Sequence, residues 1–247
     1  MRVQRVSRRN NKLLWVGCGC LGALGIMAVV TIIGVIVLLP ALPGLAAQVA
    51  GLQPSGSTAN VFAAVEPTPD VQLQNPVSPP DAVLNVSGAD VQPLPAGTNT
   101  YTVTTGTNSD GAPVALVTFT ESRLMELCYQ RTQACSNTNE QFRNLNLDLR
   151  PGGAVVYADV LVPQLGVTQT IGVVLRLDSS RRQFAVAGVD ISGTLYTIPP
   201  DTLGTQVAQI AQTGNDLLRQ LELEAGGGQY ALAEVYIDDT TVTLVLR

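Results

Sequence analysis

Four successive stretches between residues 142 and 198 alternate apolar and polar side chains with a period of two, and this constrains the fold more than any other feature. Phe142 to Leu149 places Leu145, Leu147 and Leu149 on one face and Asn146 and Asp148 on the other. Ala154 to Val162 places Val156, Ala158, Val160 and Val162 together, and Ile171, Val173, Leu175 and Leu177 alternate with Gly172, Val174, Arg176 and Asp178. After the turn "DSSRR", Ala185, Val189, Ile191 and Leu195 line one face of a strand read as running on to Ile198. Strands with one apolar face are the mark of an antiparallel sheet that covers a core on one side only.

The elements around this meander follow from local signals. "YTVTT" and "PVALVTF" read as strands flanking the turn "GTNSDG". A helix begins at "TFTESRLMELCYQR", with Thr118 and Glu121 at capping-box spacing and Thr120 as the alternative N-cap; Leu124, Leu127 and Cys128 share one face. Pro199 and Pro200 end the meander, since neither can donate to a ladder. A second helix then carries Leu203, Val207, Ile210, Leu217 and Leu221 at helical spacing. A last hairpin, Tyr230 to Ile237 and Thr241 to Leu246, turns at Asp238 and Asp239. The expected class is α+β: a long, curved antiparallel meander packed on two amphipathic helices, preceded by one N-terminal transmembrane helix.

That transmembrane expectation rests on residues 13–39, a run of 27 residues without a charge, longer than the roughly 20 needed to span the hydrocarbon core. Arg2, Arg5, Arg8, Arg9 and Lys12 precede it with no acid among them. The positive-inside bias makes residues 1–12 a cytoplasmic tip, 13–39 an uncleaved signal-anchor, and the remainder extracytoplasmic at the cell membrane. Cys18 and Cys20 read as small apolar residues of the span, with a metal or redox pair and lipidation as weaker alternatives. Residues 40–98 hold 10 of the 15 prolines and show no sustained period, so they read as a Pro-rich tether to a domain at 99–247, in which short apolar pieces such as "NVFAAV" and "DAVLNV" could pack locally.

Composition removes several chemistries. There is no histidine, and the only lysine is Lys12, so Ser-His-Asp, Cys-His and exported Ser-Lys systems are excluded, as are most zinc sites. Nine Lys and Arg against 19 acids beyond residue 40 leave 9 − 19 = −10 there, which argues against nucleic acid as a partner. No cofactor is implied. Asp159, Asp178, Asp190 and the pair Asp238–Asp239 could supply a two-carboxylate hydrolase. The plainer reading puts Asp178 and Asp238–Asp239 in turns and points Asp159 and Asp190 to solvent. Cys128 and Cys135 would stand about 10.5 Å apart along one continuous helix, too far for a disulfide. If the helix ends near Arg131 and the chain folds back, they can pair, and a structural disulfide is the favoured reading in an oxidising compartment.

The order "TESRLMEL" (Thr120 to Leu127), "GTLYTIP" (Gly193 to Pro199) and "VYIDDTTVTL" (Val235 to Leu244) resembles bacterial membrane-anchored YpmS-like proteins and the related LmeA-like phospholipid-binding proteins of the tubular lipid-binding kind. The resemblance covers roughly residues 114 to 247. It implies a twisted sheet wrapped on helices around an apolar groove, with no catalytic residues. The expectation is therefore a non-catalytic protein that binds a lipid or another amphiphile. Its groove would be lined by Leu124, Leu127, Val173, Leu175, Val189, Ile191, Leu195, Leu203, Val207 and Ile210. The alternative is a structural or protein-interaction ectodomain with a closed core; the same apolar faces serve either.

Overall fold

A computed structural model describes residues 53–62, 69, 71–86, 93–97, 100–131, 142–162, 167–198 and 202–247. Among them the chain forms β1 (Gln53–Ser57), a 3-10 turn (Thr58–Val61), β2 (Gln74–Val77), β3 (Val83–Val86), β4 (Leu94–Pro95), β5 (Thr102–Thr107) and β6 (Pro113–Thr120). Helix α1 (Glu121–Arg131) follows, then β7 (Phe142–Arg150), β8 (Gly153–Val162), β9 (Val167–Leu177), β10 (Phe184–Ile191) and β11 (Thr194–Thr197). The chain closes with α2 (Thr202–Arg219), β12 (Leu221–Ala225), β13 (Gly228–Ile237) and β14 (Thr241–Leu246).

These strands make two antiparallel sheets rather than one. The first has six strands in the order β1-β11-β10-β9-β8-β7, and the second has eight in the order β2-β5-β6-β14-β13-β12-β3-β4. The meander β7 to β10 is present, with Val156 opposite Val173 and Val189 opposite Val173 on the other side, but a bulge between Val186 and Gly188 shifts the alternation of β10, so that Phe184 is buried and Ala185 exposed. Its apolar face meets the apolar face of the second sheet: Leu147, Val173 and Leu175 share one core with Val117, Leu223, Val235 and Leu246. Three bonds from hairpin turns of the first sheet lace it to β13 of the second. The Gly152 N–H donates to the Ile237 carbonyl at 2.9 Å, the Val235 N–H to the Arg181 carbonyl at 2.8 Å, and Arg182 Nε to the Ala233 carbonyl at 2.8 Å.

The expected α+β class is thus corrected. Among the described residues there are only two α-helices against fourteen strands, and sheet covers sheet. The helices connect the layers at their margins; Leu124, Leu127 and Cys128 of α1 and Leu218 of α2 reach the common core. The reason lies in the Pro-rich stretch 40–98. Its described parts are not a free tether: β1 pairs with β11, β2 with β5, and β3 with β12. Ala82, Leu84, Val86 and Leu94 lie in the core, and the sheet they help complete takes the place expected for helices.

Other expectations fare differently. No helix among the described residues is long and apolar enough to cross a membrane, and the run 13–39 read as a span lies outside them, as do Cys18 and Cys20. Cys128 is buried and disulfide-bonded; it is the only cysteine among the described residues, and Cys135, its expected partner, lies outside them. The strand read as reaching Ile198 is instead a hairpin. Ser192 and Gly193 take positive φ of 55° and 83°, the backbone that a tight two-residue turn needs, and Val189 to Ile191 fold back on Thr194 to Tyr196. At the start of α1, Thr120 Oγ1 accepts the Arg123 N–H at 3.3 Å, so Thr120 caps the helix while Thr118 belongs to β6.

Candidate functional site

The residues expected to line a groove divide into three groups. Leu124, Leu127, Val173, Leu175 and Val189 are brought together in the core between the sheets, with exposures from 1% at Val173 to 8% at Val189. Ile191 packs against the same cluster and is half-buried. Leu195 is elsewhere, on the opposite face of the six-stranded sheet, against Phe62, Val155 and Val174. Leu203, Val207 and Ile210 fall on α2, with side chains outside the described residues. An acyl chain needs apolar surface left open to it, and these five core residues are covered by protein atoms instead.

The carboxylates are engaged in backbone architecture. Asp178 accepts from Ser180 Oγ at 2.8 Å and from the Arg182 N–H at 3.3 Å, which shapes the β9–β10 turn. Partial burial pushes the Asp238 carboxyl up, but hydrogen bonds from the Thr241 hydroxyl, the Thr240 and Thr241 N–H groups and the Thr240 hydroxyl together hold it below its ordinary value. Asp159 is also held low, first by the Thr170 hydroxyl at 2.5 Å and then by Asn144 Nδ2 at 2.7 Å. These bonds favour the charged form. Asp190 departs from its expected solvent-facing position. It is 2% exposed, accepts from the Thr58 hydroxyl, and takes the Gly193 N–H at 3.2 Å. Among the described residues no group of three or more His, Cys, Asp or Glu could hold a metal ion.

A second apolar cluster lies on the outer face of the six-stranded sheet. Val155 and Val174 are covered there by Phe62, with Val61, Tyr157, Ala187 and Leu195 around them. The cover comes from Val61 at the end of the 3-10 turn and Phe62 directly after it, within the segment that reads as tether. Gly153 permits its close approach: a Cβ at that position would lie 2.6 Å from Phe62 Cε1 and 2.2 Å from the Leu175 carbonyl oxygen. Tyr157 beside it is pushed up, first by burial and then by the charges of Asp190 and Asp148, with Arg150 opposing. A signal for this cluster is visible in "AVVYADV": Val155 and Tyr157 make the second face of β8 apolar as well, as in strands covered on both sides. Nothing local marks Phe62 as their cover.

The outer face of the eight-stranded sheet is treated similarly. Val71 and Leu73 pack there on Val114, Tyr236 and Val245, and the Arg181 guanidinium lies 4.1 Å from the Tyr236 ring centre. Tyr236 donates to Glu234 at 2.6 Å, and Arg247 reaches the same carboxylate at 3.3 Å. These contacts close the second surface with paired charges rather than leaving a polar site.

No protein-family model, curated protein or solved structure matches this chain. The resemblance to YpmS-like and LmeA-like proteins therefore rests on residue order and spacing alone.

Proposed function

We propose that this chain is a closed-core structural or protein-interaction module that acts through its surface, without catalysis and without an internal lipid site. The observation that carries the reading is the sealing of the apolar interior. Leu124, Leu127, Val173, Leu175 and Val189 contact one another and residues of the opposing sheet, with at most 8% of any of them exposed. Interiors packed in this way leave few voids larger than a water molecule. The carboxylates support the same reading, since Asp178 and Asp238 are committed to turns and Asp190 to a buried tie.

The test is direct. Residues 53–247, purified without detergent, should fly in native mass spectrometry at the bare polypeptide mass and should not take up a fluorescent fatty acid. A co-purifying lipid, or saturable uptake of the probe, would overturn the closed core.

A further inference from the structure

The segment Gln53–Phe62 is held at the rim of the six-stranded sheet. All five residues of β1 are exposed, and β1 has a single neighbour, β11, at the rim of its sheet. Its register with β11 shifts between Pro54 and Gly56, where the ladder is interrupted. Beyond β1, two attachments are buried. One is polar: the Thr58 hydroxyl donates to Asp190, and the Thr58 N–H donates to the Gly193 carbonyl at 3.2 Å. The other is apolar: Phe62 seats on Gly153, Val155 and Val174.

Removing this segment breaks no other pair of strands, because β1 is terminal. The stretch around β3 differs, since Ala82, Leu84 and Val86 are core residues. What the segment covers is a ready-made receptor: the free edge of β11, a buried carboxylate and an aromatic seat four residues further along. Strand addition at a sheet edge with pockets for chosen side chains is a recurrent mode of recognition. The covering sequence, "QPSGSTANVF", carries no charge. It can therefore approach a body that is −10 beyond residue 40 without the repulsion a charged ligand would meet.

We propose that Gln53–Phe62 is a detachable strap, and that the receptor beneath it is filled either by the chain's own strap or by the strap of a second copy of this chain. Exchange of an identical element between protomers needs no new interface chemistry, because every contact already exists within one copy. The proposal rests on the surface-acting reading and names its partner. It fails separately from that reading, since a strap that never exchanges leaves the lipid experiment above unaffected.

The experiment uses full chains and the register of β1 on β11, in which Ser57 faces Thr194. One version carries Ser57→Cys and another Thr194→Cys; a third carries both and reports whether the pair can close within one chain. In a mixture of the single variants under mild oxidation, a cross-link between position 57 of one copy and position 194 of the other should appear and increase with concentration. Mass spectrometry of the joined peptides distinguishes it from links through the natural cysteines. Hydrogen exchange on the unaltered chain gives the second readout. Strap amides should exchange about 100-fold faster than those of β8 and β9, as expected of a unit that opens without global unfolding. Closure of the double variant with no cross-link between copies would overturn the proposal, as would failure of the double variant to close or equal exchange of strap and β8.

Discussion

Asn215 illustrates how much a single buried polar side chain can carry in this molecule. It sits on α2, buried, where its Oδ1 accepts the Phe184 N–H at 2.8 Å and its Nδ2 donates to the Phe184 carbonyl at 3.0 Å. β11 pairs with β10 only from Val189 to Ile191, so the start of β10 would otherwise present an open edge to the core. Asn215 imitates a missing strand at that point. Asn215→Ala would leave a backbone donor and acceptor unsatisfied, each at about 1–3 kcal/mol. The expected loss in urea unfolding is therefore about 2–6 kcal/mol for the two groups. A loss under about 0.5 kcal/mol, the range of ordinary surface changes, would mean that water replaces the side chain. Nothing in "TGNDLL" announces this role. A polar residue within an amphipathic helix reads as solvent-facing until its partner, 31 residues earlier in the chain, is placed beside it.

Elements show the same division between local and distant causes. The alternation in β7 to β9 was legible because each strand pairs with its sequence neighbour, whereas the bulge between Val186 and Gly188 that turns Ala185 out of the core was not. The Ser192–Gly193 turn was also there to be read: "SG" is a turn signal, overridden by the apolar period that runs across it. The edges were not legible. β7 is the outermost strand of its sheet and nine residues long, the type of edge that invites pairing with another chain. Helix α1 covers it. Tyr129 Oη donates to the Leu145 carbonyl at 3.2 Å, and Glu121 accepts the Leu149 N–H at 3.1 Å. The remaining edges are blunted in other ways: β4 has two residues, and Pro54 and Pro76 interrupt β1 and β2. Glu121→Ala combined with Tyr129→Phe should uncover β7. Stability should fall by about 1–2 kcal/mol for the two lost bonds, and light scattering should show faster, concentration-dependent self-association on warming. Scattering identical to that of the unaltered chain would show that the helix body alone protects the edge.

For the whole molecule, the decisive contacts join the stretch before residue 98 to the chain's C-terminal third. β3 pairs with β12, placing Leu84 opposite Leu223, and Tyr101 ties the neighbouring strands by accepting the Leu84 N–H at 2.9 Å and donating to the Leu94 carbonyl at 2.5 Å. Sequence reading missed this because the strands are short, punctuated by proline, and separated from their partners by most of the fold. A composition rich in Pro, Ser and Gln then outweighs a few apolar residues such as those of "DAVLNV". Their energetic weight is large nonetheless. Leu84, Val86 and Leu94 are 0%, 6% and 1% exposed, and burial of such side chains contributes about 1.5–3 kcal/mol each. The sum, roughly 5–9 kcal/mol, is comparable with the entire stability of an ordinary domain, about 5–15 kcal/mol. A chain beginning at residue 99 should therefore show no cooperative thermal transition and should bind a hydrophobic dye. A chain beginning at residue 53 should unfold in one step. If the shorter chain melts cooperatively at the same temperature, the second sheet stands without β3 and β4, and the stretch before residue 98 is a tether after all.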